Sequence, residues 1–146
     1  MKLHCCVVHS LTWTNAGHPL PLVCRGGVVR EVAASKTHVP LGFLPTAELN
    51  QKGEGYLESR VRFQPGSKLV LFTDGLVEAT RRGDRSVQFS EIVNETIVKL
   101  SSLQPRPFLE GLQQALVDFH GSEDFDDDIC MICLDILPEA GKPSTS

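Results

Sequence analysis

The feature that most limits how this chain can fold is an apolar run that stops at an aspartate followed by a glycine. Residues 69–72 are continuously apolar and follow Pro65-Gly66, which predicts a short strand buried on both faces. Gly75 permits a sharp change of backbone direction immediately after Asp74. The pattern therefore predicts that the Asp74 carboxylate lies at the mouth of a buried strand, where a ligand can reach it.

A second strand end that carries carboxylates lies near the C-terminus. The acidic run at 123–128 leads directly into the apolar segment 129–134. Adjacent carboxylates repel one another, and a buried strand beside them makes that repulsion costly unless a cation is present. Mg²⁺ and Mn²⁺ prefer oxygen ligands and use one or two carboxylates per ion. Either end alone would indicate a turn or a solvated acidic loop, but the two together predict a divalent cation site.

The acidity of the chain is local. The net charge is -4, five acids fall within 123–128, and the remainder of the chain therefore carries about +1. No basic patch with interleaved aromatic residues occurs, which excludes nucleic acid as the expected partner. Five cysteines without a secretory signal favour a reducing compartment, and no apolar run has the length of a membrane span. We therefore expect a cytoplasmic protein that does not enter the membrane.

Strand patterns fill the first half of the chain, and helix patterns dominate the second. The glycine pair at 26–27 predicts a two-residue hairpin. Apolar residues at helical spacing predict one helix from a Ser90 N-cap to Leu100 and a second over 108–119, separated by Pro105 and Pro107. The segments predicted as strands are 3–8, 11–15, 22–25, 28–32, 57–63, 69–72 and 129–137.

Two further polar groups carry weaker signals. Cys130 and Cys133 form a C-x-x-C, but residues three apart on a strand face opposite sides, so they are interpreted as buried small hydrophobic residues and not as a zinc or redox pair. His18 lies in an irregular Gly-His-Pro loop, where a functional role and a structural hydrogen bond are both open. Thr73 precedes Asp74, but no base is evident that would activate it.

Four segments occur in a recognisable order. They are Asn-Ala-Gly-His-Pro at 15–19, Pro-Leu-Gly at 40–42, Leu-Phe-Thr-Asp-Gly-Leu-Val-Glu-Ala at 71–79 and Asp-Asp-Ile at 127–129. This order resembles the stage II sporulation protein E-type branch of the metal-dependent PPM phosphatases, the protein phosphatase 2C-like enzymes. The resemblance extends from about Leu3 to Ile136 and corresponds to the C-terminal part of the family's domain.

The resemblance implies an α+β fold, an antiparallel β-sandwich flanked by helices in the αββα layers of PPM phosphatases. Residues 1–137 would form a partial domain that lacks the N-terminal helical layer, and 138–146 would be a disordered tail. One sheet would then present an apolar face to solvent, and we expect a partner chain or the missing N-terminal half to cover it.

The resemblance also implies the chemistry of the site. Phosphoserine or phosphothreonine would be hydrolysed by water held between two Mg²⁺ or Mn²⁺ ions, without a side-chain nucleophile. Asp74 and Asp127 would be metal ligands, with Gly75, Asp126 and Asp128 adjacent to the metal, and a one-residue shift in alignment would select Asp126 in place of Asp127. Asn15 and His18 would belong to an active-site loop.

The implied function is dephosphorylation of a protein substrate in bacterial signalling, with a STAS-type anti-anti-sigma factor as one candidate substrate. The family's earlier motifs, which contain the aspartates that bridge the two metals, do not precede Leu3. Two alternatives therefore stand beside the enzyme: a catalytically incomplete module that binds a partner, and a truncated fragment.

Overall fold

The computed structural model describes residues 9–35, 39–51 and 55–137, so the predicted strand at 3–8 and the tail at 138–146 lie outside the described residues. The strands are β1 (His9–Trp13), β2 (Leu22–Arg25), β3 (Val28–Glu31), β4 (Ser59–Phe63), β5 (Lys68–Phe72), β6 (Thr80–Arg81), β7 (Asp84–Gln88) and β8 (Met131–Asp135). The α-helices are α1 (Thr46–Gln51), α2 (Asp74–Glu78), α3 (Val93–Leu100) and α4 (Pro105–His120), and a 3₁₀ turn spans Phe89–Glu91.

The central element is a four-stranded antiparallel sheet with the order β3-β2-β5-β8. β5 lies in its interior, between β2 and β8, which explains why its sequence is continuously apolar instead of alternating. The predicted hairpin is confirmed, because β2 and β3 pair across the two glycines. β1 and β4 form a separate antiparallel pair, with His9 opposite Phe63.

Apolar side chains pack on both faces of the central sheet. On one face, α3 and α4 contribute to a core with α2, β2 and β5 that contains the fully buried Leu76, Phe89, Ile97, Phe108, Leu112 and Leu116. On the other face, Leu69 of β5 packs with Phe63 of β4 and Val32. The described residues thus form a helical layer, a central sheet and a strand pair, which confirms the predicted α+β class with antiparallel sheets.

The start of β5 buries a lysine. Lys68 is only 3% exposed, pairs with Asp135 of β8, and places its ammonium group 5.0 Å from the centre of the Phe108 ring. A buried charge is tolerated when it is paired and solvated by such contacts, and removal of one partner leaves the other uncompensated. This pair therefore fixes the register of β5 against β8 at the end of the sheet opposite Asp74.

The predicted helix boundaries need two corrections. Gln88, and not Ser90, caps the segment before α3, since the Gln88 N–H donates to the Glu91 carboxylate (3.2 Å) within a capping box. The buried Phe89 occupies the first position of the 3₁₀ turn, and α3 begins only at Val93. Pro105 does not separate the helices but begins α4, because a proline at the first helical position lacks only an N–H that would have no helical partner.

Four short elements lie where the sequence predicted no regular structure. α1 covers Thr46–Gln51, α2 begins at Asp74 itself, and β6 pairs with β7 around the turn at 82–83. Each segment is too short to show a helical or alternating pattern, so the contacts of the folded chain decide its conformation. The consequence for the site is that Asp74 begins a helix and does not end a strand.

β8, the strand at one edge of the central sheet, carries exposed apolar side chains. Ile132 and Leu134 lie two residues apart on β8, so their side chains point to the same face of the sheet, and each is about half exposed. The prediction placed the uncovered apolar face on the other sheet, and its covering by a partner chain or the missing N-terminal half stays a prediction. None of the described helices has the length and apolar character needed to cross a membrane.

Candidate metal centre

The antiparallel pairing of β5 with β8 brings the two acidic segments to the same edge of the sheet. Phe72 at the end of β5 lies opposite Met131 at the start of β8. The pairing extends one step further, since the Thr73 N–H donates to the Cys130 carbonyl (3.0 Å). Asp74 comes directly after Thr73, and the run 126–128 ends two residues before Cys130. Both acidic segments therefore lie next to the Thr73–Cys130 pair, at the same end of β5 and β8.

The Thr73 side chain joins the two segments. Its hydroxyl donates to the Asp128 carbonyl (3.0 Å) and accepts from the Cys130 N–H (2.9 Å). A single hydroxyl can do both, because it carries one donor and two lone pairs. The sequence analysis considered Thr73 only as a nucleophile. Its observed role is to hold the acidic loop, residues 123–128, against the end of β5.

Gly75 allows the backbones of the two segments to touch. A Cβ at this position would lie 2.7 Å from the Asp128 carbonyl oxygen and 3.4 Å from the Asp127 Cβ. The prediction that Gly75 supplies a sharp turn is wrong: it lies in the first turn of α2, and the glycines with positive φ are at other positions. Close approach of the backbones is therefore the reason that this position needs glycine.

The carboxylates around this contact are exposed and weakly engaged. Asp74 accepts only from the N–H of Gly75 (3.2 Å) among the described groups, and Asp127 accepts from the N–H of Asp128 (2.8 Å). Asp126 lies 3.7 Å from Arg85, and both side chains are more than three quarters exposed. Within the described ranges there is no cluster of three or more residues that could hold a metal ion.

This donor set fits a hard cation that retains much of its water. Mg²⁺ and Mn²⁺ take carboxylate oxygen, and one or two carboxylates per ion suffice when water fills the remaining positions. Asp74 and Asp127 offer such oxygens from two segments that are in backbone contact. The described residues do not provide the complete protein cage that a dehydrated ion would need.

The loop that contains Asn15 and His18 is built mainly from its own contacts. The Asn15 amide is buried, donates to the His18 carbonyl (2.7 Å) and accepts from the His18 N–H (2.8 Å). A Cβ on Gly17 would lie 2.7 Å from Pro40 Cγ, so this loop packs against the segment at 40–42. The described contacts of Asn15 and His18 do not reach the acidic segments. A role for either residue in an active-site loop stays a prediction.

A histidine that the sequence analysis did not select holds the acidic loop from its other side. His120 ends α4, and its Nδ1 lies 2.6 Å from the Thr80 carbonyl while its Nε2 lies 3.1 Å from the Asp124 carbonyl. Its ring also packs against Phe125, with 5.1 Å between centroids. His120 therefore connects strand β6 to the loop that carries the aspartates. Its position at a helix end before Gly121 was the only signal in the sequence.

A cavity lies between the acidic loop and the β6–β7 hairpin. Its volume is about 170 Å³, and the residues that line it are Gly75, Glu78, Ala79, Thr80, Arg85, His120, Phe125, Asp126 and Asp127. A neighbouring cavity of about 240 Å³ shares Arg85, His120 and Asp126 with it and adds Arg81 and Arg82. Basic side chains therefore lie beside the aspartates, which the sequence analysis did not foresee.

The interpretation of the two cysteines as buried packing residues is confirmed for Cys133 and is wrong for Cys130, which is exposed. Cys130 is exposed and Cys133 is buried, as expected for residues three apart on an extended segment. Burial raises the pKa of the Cys133 thiol above its ordinary value of 9.0. The nearby Lys68 opposes this shift in pKa only in part.

A comparison with protein families finds one match. The model of the family described as Stage II sporulation protein E (SpoIIE) matches residues 6–137, which is most of the chain. No curated protein matches the chain by sequence at a significant level.

Solved structures of similar fold come from three bacteria. The phosphatase domain of SpoIIE from Bacillus subtilis, presoaked with Mn, has a TM-score of 0.64 at 16% identity, over 91% of this chain and 53% of that one. The SiaA-PP2C domain of Pseudomonas aeruginosa has a TM-score of 0.67 at 18% identity, over 86% of this chain and 46% of that one.

The third structure contains the RsbU and RsbW domains of Rv1364c from Mycobacterium tuberculosis. It has a TM-score of 0.62 at 20% identity, over 88% of this chain and 32% of that one. At such identities the likeness establishes the fold. The chain spans about half the length of the two phosphatase domains and about a third of the two-domain structure.

Proposed function

The chain belongs to the stage II sporulation protein E (SpoIIE) family, and from this premise we propose that it forms part of a metal-dependent protein phosphatase. The reaction is hydrolysis of phosphoserine or phosphothreonine on a protein substrate in bacterial signalling. The observation that supports the proposal is the close contact at Gly75, which places the residue after Asp74 against the backbone of Asp128 and the Cβ of Asp127, on a segment distant in sequence.

We propose Asp74 and Asp127 as the metal ligands. The choice of Asp127 over Asp126 is supported by the different surroundings of the two side chains. The Asp127 Cβ lies beside Gly75, whereas the Asp126 carboxylate faces Arg85. The N–H of Asp128 also donates to the Asp127 carboxylate and orients it. In this proposal Gly75 and Asp128 contribute through their backbone atoms, whose contact sets the distance between the two segments that carry the ligands.

Mg²⁺ or Mn²⁺, when bound, lowers the pKa of a coordinated water and offsets the charge of a phosphoryl group. The chain's own residues supply positioning. Thr73 and His120 hold the acidic loop from opposite sides, at the Asp128 and Asp124 carbonyls. We propose that these contacts orient the loop that carries Asp127 relative to Asp74 before an ion binds, as an efficient ligand set requires.

The proposed substrate is a phosphorylated protein, with a STAS-type anti-anti-sigma factor as the first candidate from family membership. We propose the cytoplasm as the site of action, since the chain's five cysteines suit a reducing compartment. Exposure of the carboxylates supports a macromolecular substrate, because a phosphorylated side chain on another protein can reach an open loop.

Hydrolysis of p-nitrophenyl phosphate by the purified chain tests the proposal. We expect turnover that requires Mn²⁺, is removed by EDTA, and is lost in both Asp74→Ala and Asp127→Ala. Asp118→Ala is the matched control, because Asp118 is exposed on α4 and its carboxylate accepts from Gln114. Activity that survives in Asp74→Ala, or activity that needs no metal, would refute the assignment of ligands.

Two observations favour a second function, that of a catalytically incomplete module that binds a partner. The described residues offer fewer than three clustered ligands, and Ile132 and Leu134 expose an apolar edge. The module predicts no turnover, together with weak or absent Mn²⁺ binding in a calorimetric titration. Turnover that Asp74→Ala abolishes would exclude it.

A further inference from the structure

The β6–β7 hairpin places three arginines next to the candidate metal centre. Arg81, Arg82 and Arg85 lie within five residues and are all exposed. The other charged residues that line the two cavities beside the aspartates are acidic, so these arginines are the permanently positive groups there. We propose that this hairpin recognises the substrate: Arg85 binds the phosphoryl group, and Arg82 binds an acidic residue next to it in the substrate chain.

Arg85 is positioned to reach a phosphoryl group at the carboxylates. It lines the cavity of about 170 Å³ together with Gly75 and Asp127, which are the residues at the backbone contact. A guanidinium presents paired N–H donors whose geometry matches two phosphoryl oxygens, and such charge-assisted bonds are among the strong ones. A phosphoryl group in this cavity would therefore meet Arg85 on one side and the proposed metal ligands on the other.

The ion pair between Arg85 and Asp126 does not prevent this role. The closest approach of the two side chains is 3.7 Å, and the exposed fractions are 83% and 77%. Pairs with such exposure contribute little to stability because water and salt screen them. A phosphoryl group, which carries more negative charge than a carboxylate, can displace Asp126 from Arg85 at small cost.

Arg82 extends the basic surface away from the carboxylates. It lines the neighbouring cavity of about 240 Å³ together with Arg81. Its backbone N–H donates to the His120 carbonyl (3.1 Å), which fixes the base of the hairpin, while its side chain forms no ion pair with any residue in the described ranges. Arg81 differs, since its guanidinium lies 5.1 Å from the centre of the Phe119 ring. Arg82 is therefore the arginine available to a second anionic group.

The inference rests on the proposed function, because a phosphoryl group is expected in this cavity only if the aspartates serve a phosphatase. Its test is nevertheless independent of catalysis. Binding of labelled peptides is measured by fluorescence anisotropy in EDTA, so that neither metal nor turnover contributes. The probes are a phosphoserine peptide with neutral neighbours, the same peptide with two acidic neighbours, and the unphosphorylated form of each.

We expect the unaltered chain to prefer both phosphorylated peptides. Arg85→Gln should weaken their binding about tenfold and remove the preference over the unphosphorylated forms. Arg82→Gln should leave the neutral phosphopeptide within about twofold and remove only the extra affinity that acidic neighbours provide. The control is Arg106→Gln, since Arg106 is exposed on α4 and pairs with Glu110 as Arg85 pairs with Asp126.

The inference would be overturned if the unaltered chain showed no preference for phosphopeptides, or if Arg85→Gln bound them unchanged. It would also be overturned if Arg106→Gln lost as much phosphopeptide affinity as Arg85→Gln, since that would indicate nonspecific attraction. Melting curves of the variants establish that each is folded. Binding that depends on Arg85, combined with no Mn²⁺-dependent turnover, would support recognition by this hairpin and refute the proposed hydrolysis, so the two failures are distinguishable.

Discussion

Replacement of Gly75 by alanine tests the contact on which the candidate metal centre depends. The added Cβ would lie 2.7 Å from the Asp128 carbonyl oxygen, and ordinary contact begins at 3.4 Å, so the two backbones must separate by about 0.7 Å. Overpacking of this kind costs about 1–3 kcal/mol, and the better helix propensity of alanine in α2 offsets about 0.5–1 kcal/mol. We expect a net loss of about 1.5 kcal/mol in the free energy of unfolding.

Two measurements follow from this displacement. In thermal unfolding, a loss of about 1.5 kcal/mol lowers Tm by about 3–6 °C for a chain of this size. In a calorimetric titration, Mn²⁺ should bind Gly75→Ala about tenfold more weakly, because Asp127 moves with Asp128, and ligand sets tolerate displacements of only about 0.5 Å. The two effects have one cause and should appear together.

Gly55→Ala provides the matched control. Gly55 has no atom within 4 Å of the position of an added Cβ, and its φ is not in the left-handed region, so alanine meets neither a clash nor backbone strain there. We expect its stability to stay within about 0.5 kcal/mol of the unaltered chain, with the same Mn²⁺ affinity. If Gly75→Ala behaves like Gly55→Ala in both measurements, the acidic loop does not press on α2, and the argument for the metal centre fails.

Two further predictions concern Thr73 and Cys133. Thr73→Val removes the side-chain hydrogen bonds to the Asp128 carbonyl and the Cys130 N–H and should cost about 1–2 kcal/mol in urea unfolding. Thr12→Val, on an exposed position of β1, should change stability by less than about 0.5 kcal/mol, and equal effects would contradict the role of Thr73. Burial raises the pKa of the Cys133 thiol, so its contribution to stability is fully present below the unfolded-state value of 9.0 and is lost as pH rises through the higher folded-state pKa. The unaltered chain should therefore lose more unfolding free energy than Cys133→Ala over that pH interval, and parallel pH profiles would contradict the shift.

Local sequence patterns predicted the elements in which buried residues or turn glycines follow a regular pattern along the chain. The hairpin of β2 and β3 was predictable because two glycines accept the positive φ that the turn requires, and both have it. β5 was predictable because a central strand is buried on both faces and cannot alternate. The fold class and the meeting of the acidic segments followed from these elements and from the family resemblance.

The features that escaped prediction depend on contacts between distant segments. Thr73 and Asp128 are 55 residues apart, and no local pattern shows that a hydroxyl at one will meet a carbonyl at the other. The same holds for His120, whose two ring nitrogens contact carbonyls of residues on different elements. Gly75 was selected for the wrong reason, since a glycine needed for close approach and one needed for a turn look identical in sequence.

The number of carboxylates at the site sets the number of ions that the described residues can hold. The proposed ligands Asp74 and Asp127 would suffice for one Mg²⁺ or Mn²⁺, because such ions need one or two carboxylates and fill the other positions with water. Two ions held close together require carboxylates that bridge them, and the described residues contain no third clustered ligand to share that role. The calorimetric titration should therefore give one bound Mn²⁺ per chain. A second ion would require donors from outside the described residues, and the exposed apolar side chains of Ile132 and Leu134 form a surface on which the segment that carries them could pack.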